Sequence, residues 1–183
     1  AISHERALSA IKNGRFDKQI SAVSVPQRRA DPMVVERDEG PREGTTTEGL
    51  SQLTTVFKKD GTVTAGNSST INDGAAAVVI MSEERAAELE ITPRLQWRAR
   101  AVAGVDPAQM GIGPIPATRM ALDKAGMNIS SLSLIELNEA FAAQALACIR
   151  MLDLDIDKVN VRGGSIAIGH PLGASGARIA TTL

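Results

Sequence analysis

From Thr92 onward, helical and strand-like hydrophobic patterns alternate along the chain, and this order restricts the fold more than any other feature of the sequence. Leu95 to Ala103 sets Leu95, Trp97, Ala99 and Ala101 at every second position between Gln96, Arg98 and Arg100, the period of a half-buried strand. After it come a helix from Pro116 to Ala125, a strand from Leu132 to Leu137, a helix from Glu139 to Leu152, a buried strand-like run from Ser165 to Ile168 and a helix from Ala174. Such an order predicts a layered α/β architecture, because each amphipathic helix has to cover a sheet face. Strand order and direction stay open.

The first half of the chain is less regular. Ala7, Leu8 and Ile11 give helical spacing over Ser3 to Asn13, and Asn13-Gly14 supplies a stop. Ile20 to Thr47, rich in Pro, Arg and Glu, predicts loops and brief strands. A helix is expected over Thr47 to Phe57, a turn at Asp60-Gly61 and a buried strand at Ala75 to Met81. Ser82 then offers an N-cap to a helix over Glu83 to Glu90, and a domain boundary falls near Thr92.

Bulk properties narrow the function. With 43% hydrophobic and 22% charged residues the 183-residue chain has the composition of a soluble globular protein. Lys+Arg 20 against Asp+Glu 21 gives a net charge of -1, so neither nucleic acid nor an anionic membrane is attracted by charge in general. One cysteine cannot form an internal disulfide, no Cys/His set has metal-ligand spacing, and no run is long enough to cross a bilayer. The start carries no export-signal pattern, and the chain begins without Met and stops within an apparent helix, so it reads as a fragment.

Chemistry concentrates in two places. Gly163 to Gly176 reads Gly-Gly-Ser-Ile-Ala-Ile-Gly-His-Pro-Leu-Gly-Ala-Ser-Gly: glycines let the backbone approach a ligand, and Pro171 fixes the turn that presents His170. Asn138-Glu139-Ala140-Phe141 stands at a strand-to-helix junction, where a short amide can point into a cleft. Taken singly, His170 reads as an ordinary turn residue and Asn138 as the N-cap of the next helix.

Together the two segments closely resemble the thiolase family. Gly61-Thr-Val-Thr-Ala-Gly-Asn-Ser-Ser, Asn72-Asp-Gly-Ala-Ala-Ala and Met110-Gly-Ile-Gly-Pro-Ile-Pro-Ala agree and occur in family order, so the resemblance covers nearly the whole chain. It implies the layered α-β-α-β-α thiolase fold, incomplete here. Residues 1–71 would be the loop region of the N-terminal half, 72–91 the end of that half and 92–183 a truncated C-terminal domain. The implied activity is Claisen condensation of acyl-CoA, or thiolysis of a 3-oxoacyl-CoA, through an acyl-cysteine. By resemblance His170 activates the cysteine and helps hold the thioester oxygen, while Asn138 fixes a water in the same oxyanion hole. Ser69 would contact the pantetheine arm, Arg42 lie near the adenine nucleotide, and Met110 and Phe141 wall the acyl or pantetheine tunnel. The family further implies CoA and acyl-CoA as substrates with no tightly bound cofactor and no metal, a homodimer or homotetramer, and a cytoplasmic or, in eukaryotes, mitochondrial or peroxisomal location.

Both cysteines of the family mechanism are missing, since the nucleophile's segment and the final Cys-containing turn are not in this sequence. The lone Cys148 shares a helical stripe with Phe141, Ala145 and Leu152 and is expected in the core. Arg162 stands where the family usually has Asn, and Gly49 where some relatives carry a polar residue. The chain alone is therefore expected to be inactive. The alternatives are a non-catalytic thiolase-like module binding CoA esters or lipids, a nucleotide-binding α/β domain, which lacks a glycine fingerprint, and an assembly module, which leaves Asn138 and His170 unexplained.

Overall fold

Helices dominate the structure, a computed structural model that describes residues 1–183. α1 (Ile2–Lys12) turns its small residues Ala7 and Ala10 inward and ends at Asn13, with Gly14 in the left-handed region beyond it. Strands β1 (Val23–Val25) and β2 (Met33–Val35) form an exposed antiparallel hairpin, the brief strands expected of the Pro-rich stretch.

α2 (Thr47–Ser51), capped by the Thr46 hydroxyl, stops well short of Phe57. The β-branched Thr54, Thr55 and Val56 favour extended backbone. Thr55 bridges Thr64 across the Asp60-Gly61 turn, and the Val56 amide donates to Val63 at 2.9 Å. α3 (Glu83–Glu88) begins as expected, with the Ser82 hydroxyl accepting from the Arg85 amide and two glutamates in the positive first turn.

α4 (Pro114–Ala125) has proline at its first position and Gly126 at φ 63 beyond its end, where the amides of Gly126 and Met127 close the last carbonyls. α5 (Ala142–Met151) packs on α4. Ile115 of α4 meets Cys148 and Leu152, with Ile112, Ile129, Leu137 and Leu154 around them. Cys148 is fully buried, as its stripe predicts.

The expected strands are the main correction. Ala75 to Met81 and Leu95 to Ala103 form no ladder, and Leu132 to Leu137 keeps one parallel bridge, Ile135 to Val159. Val79, Ile80, Trp97 and Val102 are exposed at 86%, 73%, 67% and 90%, so the sequence pattern is that of strands whose hydrogen-bonding and packing partners are not in this chain. Ser165 to Ile168 is a single helical turn, α6 (Ser165–Ile168), rather than a strand. Periodicity cannot separate the two over four apolar-rich residues, and flanking glycines, with Gly169 at φ 88, delimit the turn. α7 (Ser175–Thr182) follows.

α1 packs against α6 across Gly163, which has φ 84; a Cβ there would lie 2.6 Å from the Ser3 carbonyl and 2.7 Å from the Ala7 side chain. Arg6 ties α1 to the next segment by donating to the carbonyls of Val159 at 2.6 Å and Ile156 at 3.1 Å. Gly163→Ala combines a left-handed backbone with a backbone collision, and is expected to destabilise the chain by about 2–4 kcal/mol. The denaturant midpoint of the variant checks this against a Gly126→Ala control, which has open space and only the backbone strain.

Candidate active site

Asn138 and His170 reach each other although 32 residues separate them. The approach depends on how each backbone is held. The Ile135 amide donates to Lys158 at 2.9 Å and the Asn160 amide to Ile135 at 2.8 Å. Beyond this point the Asn160 side chain replaces a strand: it accepts from the Leu137 amide and donates to the Leu137 carbonyl, both at 2.8 Å. The sequence therefore stays extended up to Asn138. Phe141, not Asn138, occupies the N-cap position of α5, which leaves the Asn138 amide for the cleft.

Glu139 fastens this junction to the glycine segment. Its carboxylate accepts from the Ser3 hydroxyl at 2.7 Å, the Ile166 amide at 3.2 Å and the Asn160 side chain at 3.2 Å. Gly164 lies directly over it, and a Cβ there would fall within 2.3 Å of the carboxylate carbon.

His170 is set from below and from the side. Its amide donates to the Thr70 carbonyl at 3.0 Å, and the Asn72 side chain fills the space over Gly169. Nδ1 is 2.6 Å from the Ser175 hydroxyl, which donates its one proton to the Pro171 carbonyl at 3.1 Å. That arrangement makes Nδ1 the N–H donor and leaves Nε2 with a free lone pair. The Asn138 Nδ2 group faces Nε2 at 3.4 Å, while Asn138 Oδ1 accepts from the buried Ser165 hydroxyl. An imidazole lone pair beside a primary amide can take a proton and hold an anionic oxygen.

Two other expected residues border this pair. Ser68 bridges Phe141, the Ser69 amide donates to the Ala140 carbonyl at 3.0 Å, and Phe57 meets Phe141 edge-to-face with centroids 5.9 Å apart. Met110, 72% exposed, sits on the turn Pro107–Ile112 that packs against α5. Arg42 is exposed and has no hydrogen bond or ion pair with the others; its amide donates to Nδ1 of the buried His4 at 3.2 Å. Burial holds the His4 imidazole below its usual pKa, aided by the N-terminal ammonium and Arg42.

Sequence reading named Asn138 and His170 but not Glu139, Asn160, Ser165 or Ser175 as their supports. Glu139, Ser165 and Ser175 lay inside the segments quoted for the pair; nothing local marked Asn160.

Comparison with known proteins bears on this geometry. Residues 1–84 match the family described as thiolase, N-terminal domain, and residues 91–183 the one described as thiolase, C-terminal domain. The chain belongs to the thiolase family. It is 54% identical over 183 residues to a Pseudomonas aeruginosa protein named acetyl-CoA acetyltransferase, covering all of this chain and 47% of that one. A Thiocystis violacea protein of the same name is 56% identical, with 46% of its length covered. Among solved structures, the acetyl-CoA acetyltransferase of Bacillus anthracis superposes with a TM-score of 0.97 at 49% identity, over all of this chain and 46% of that one. Human mitochondrial 3-ketoacyl-CoA thiolase in complex with CoA gives 0.88 at 46% identity, over 99% of this chain and 44% of that one. The chain thus has the mixed α/β thiolase fold expected from its sequence, and spans under half the length of these relatives.

Replacing Glu139 by Gln substitutes an N–H donor for one acceptor among three donors. Glu139→Gln is expected to cost about 1–3 kcal/mol, read from the shift in urea midpoint.

Proposed function

We propose that this chain supplies the histidine and asparagine of a thiolase active site, in a protein that condenses acyl-CoA or cleaves 3-oxoacyl-CoA by thiolysis through an acyl-cysteine. The observation that carries the reading is the convergence of Asn138 on a His170 whose Nδ1 is already hydrogen-bonded. Nε2 then takes the proton of the nucleophilic thiol, which raises the fraction of thiolate. As the thioester carbonyl becomes an oxyanion, the protonated imidazole and an Asn138-bound water donate to it. Donors aimed at such developing charge contribute about 10²–10³ in rate each.

CoA and its esters are the substrates of this reading. Ser69, beside Phe141, serves the pantetheine arm, Phe141 and Met110 wall the tunnel, and Arg42 attends the nucleotide end. Arg42 stands exposed and apart from the His170 pair, which suits a contact to the far end of a long ligand. A homodimer or homotetramer, without a bound metal or cofactor, belongs to the same reading.

The nucleophile has to come from residues outside this chain. Cys148 is wholly buried against α4, donates to the Gly111 carbonyl at 3.5 Å, and burial pushes its thiol above the usual range. Purified alone, the 183-residue chain is expected to give no thiolysis of acetoacetyl-CoA, followed by loss of the magnesium-enolate absorbance; turnover by the chain would overturn the assignment of the nucleophile. In a complete polypeptide that includes this sequence, His170→Ala is expected to lower kcat by at least about 10³. Retained activity in that variant would overturn the proposed function itself.

The thiol also sets a pH dependence. Above the ordinary thiol pKa the unfolded chain releases a proton that folded Cys148 keeps, so the folded state binds more protons and stability falls as pH rises through that range. Chemical denaturation from pH 7 to 10 is expected to show this loss, and Cys148→Ala to remove it. Folded protein should likewise resist thiol-specific reagents that label it in urea.

A further inference from the structure

A partly buried ion pair lies behind the Asn138 amide. Glu136, with its side chain 5% exposed, meets Arg178 at 3.4 Å, and Arg178 is itself 19% exposed. From α7 the same guanidinium sends Nη2 to the Ser165 hydroxyl at 3.5 Å, and Ser165 donates to Asn138 Oδ1. The last link is Asn138 Nδ2 to His170 Nε2. Arg178, Ser165 and Asn138 therefore connect α7 to the imidazole.

We propose that Arg178, held by Glu136, is a positioning residue that fixes the orientation of Asn138 through the Ser165 hydroxyl. The reasoning follows the protons. A guanidinium can only donate, so Ser165 Oγ accepts from Arg178 and its single proton turns toward Asn138. That proton needs an acceptor, which selects Oδ1 on the near side of the amide. Nδ2 is thereby directed at the Nε2 lone pair. The flipped amide would set Oδ1 against that lone pair and leave the Ser165 proton without its acceptor.

Stability does not account for the arrangement. Arg178 Nε is buried without a hydrogen-bond partner, and a buried ion pair is commonly replaced by apolar residues without loss of stability. What apolar residues cannot supply is a donor that orients Ser165. Arg162 and Glu139 also face Glu136, and Asp38 faces Arg178, so the pair sits among charges of both signs. Burial holds the Glu136 carboxyl above its ordinary pKa, and Arg178 offsets part of that rise.

The inference deepens the thiolase reading and rests on it for the catalytic meaning of Asn138, but its test requires no turnover. In the ¹⁵N-labelled 183-residue chain, long-range imidazole spectra resolve two histidines, His4 and His170. In Ser165→Ala, the His170 Nε2 resonance is expected to move to the position of a ring nitrogen without a donor. The two Asn138 side-chain protons, kept distinct by the partial double bond of the amide, should move toward the positions of a solvated amide, while Nδ1 stays protonated on Ser175. Arg178→Lys retains a charge for Glu136 but cannot also reach Ser165, and is expected to move both signals in the same direction. Signals at their wild-type positions in either folded variant would overturn the proposal. Loss of the fold in both would overturn it as well, since the pair would then be a structural support. In a complete enzyme, Ser165→Ala is expected to lower kcat about 10-fold with KM nearly unchanged. Spectral shifts in a protein without thiolase turnover would refute the activity and leave the linkage standing.

Discussion

The Glu139 carboxylate is the contact on which the rest of the site depends. It gathers Ser3 of α1, Asn160 of the segment before the glycines and the Ile166 amide of α6 around one anion. Three segments distant in sequence are thus brought to the residue next to Asn138. A carboxylate suits this role because it accepts several donors at once and each charge-assisted bond is stronger than a neutral one. Gly164 follows from the same contact, since any side chain at that position would occupy the carboxylate's space.

With the junction held, the short segments around it become orderly without a sheet. Asn160 imitates a neighbouring strand for Leu137 alone, and Arg6 closes the carbonyls of Ile156 and Val159. Farther away no such substitutes exist. Residues 75–81 and 95–103 form no regular element and hold their Val, Ile and Trp side chains in solvent. The Bacillus anthracis structure, more than twice this length, shares the geometry at a TM-score of 0.97, which agrees with these segments having the form of a larger fold.

Electrostatics divides the site into a rigid side and an open one. Beneath Asn138 and His170 the polar side chains are paired, Ser165 with Asn138, Ser175 with His170, and Glu136 with Arg178, whose Nε alone is left without a partner. The residues expected to meet CoA are more open to solvent, with Met110 and Arg42 exposed and only Ser69 and Phe141 tied into the backbone around the junction.

Local chemistry was legible in the sequence wherever it is decided locally. The Ser82 cap, the Gly126 stop, the stripe that buries Cys148 and the glycines around His170 each follow from interactions within a few residues. So did the pairing of Asn138 with His170, through the resemblance carried by the two segments. Tertiary structure alone decided that Ser165 to Ile168 coils into a helix, that the patterns at 75–81 and 95–103 remain unpaired, and that Arg178, Ser165 and Ser175 stand behind Asn138 and His170. The reason is physical: helix caps and stripes depend on neighbours along the chain, whereas a ladder partner, or the acceptor of one hydroxyl proton, is fixed only when distant segments meet.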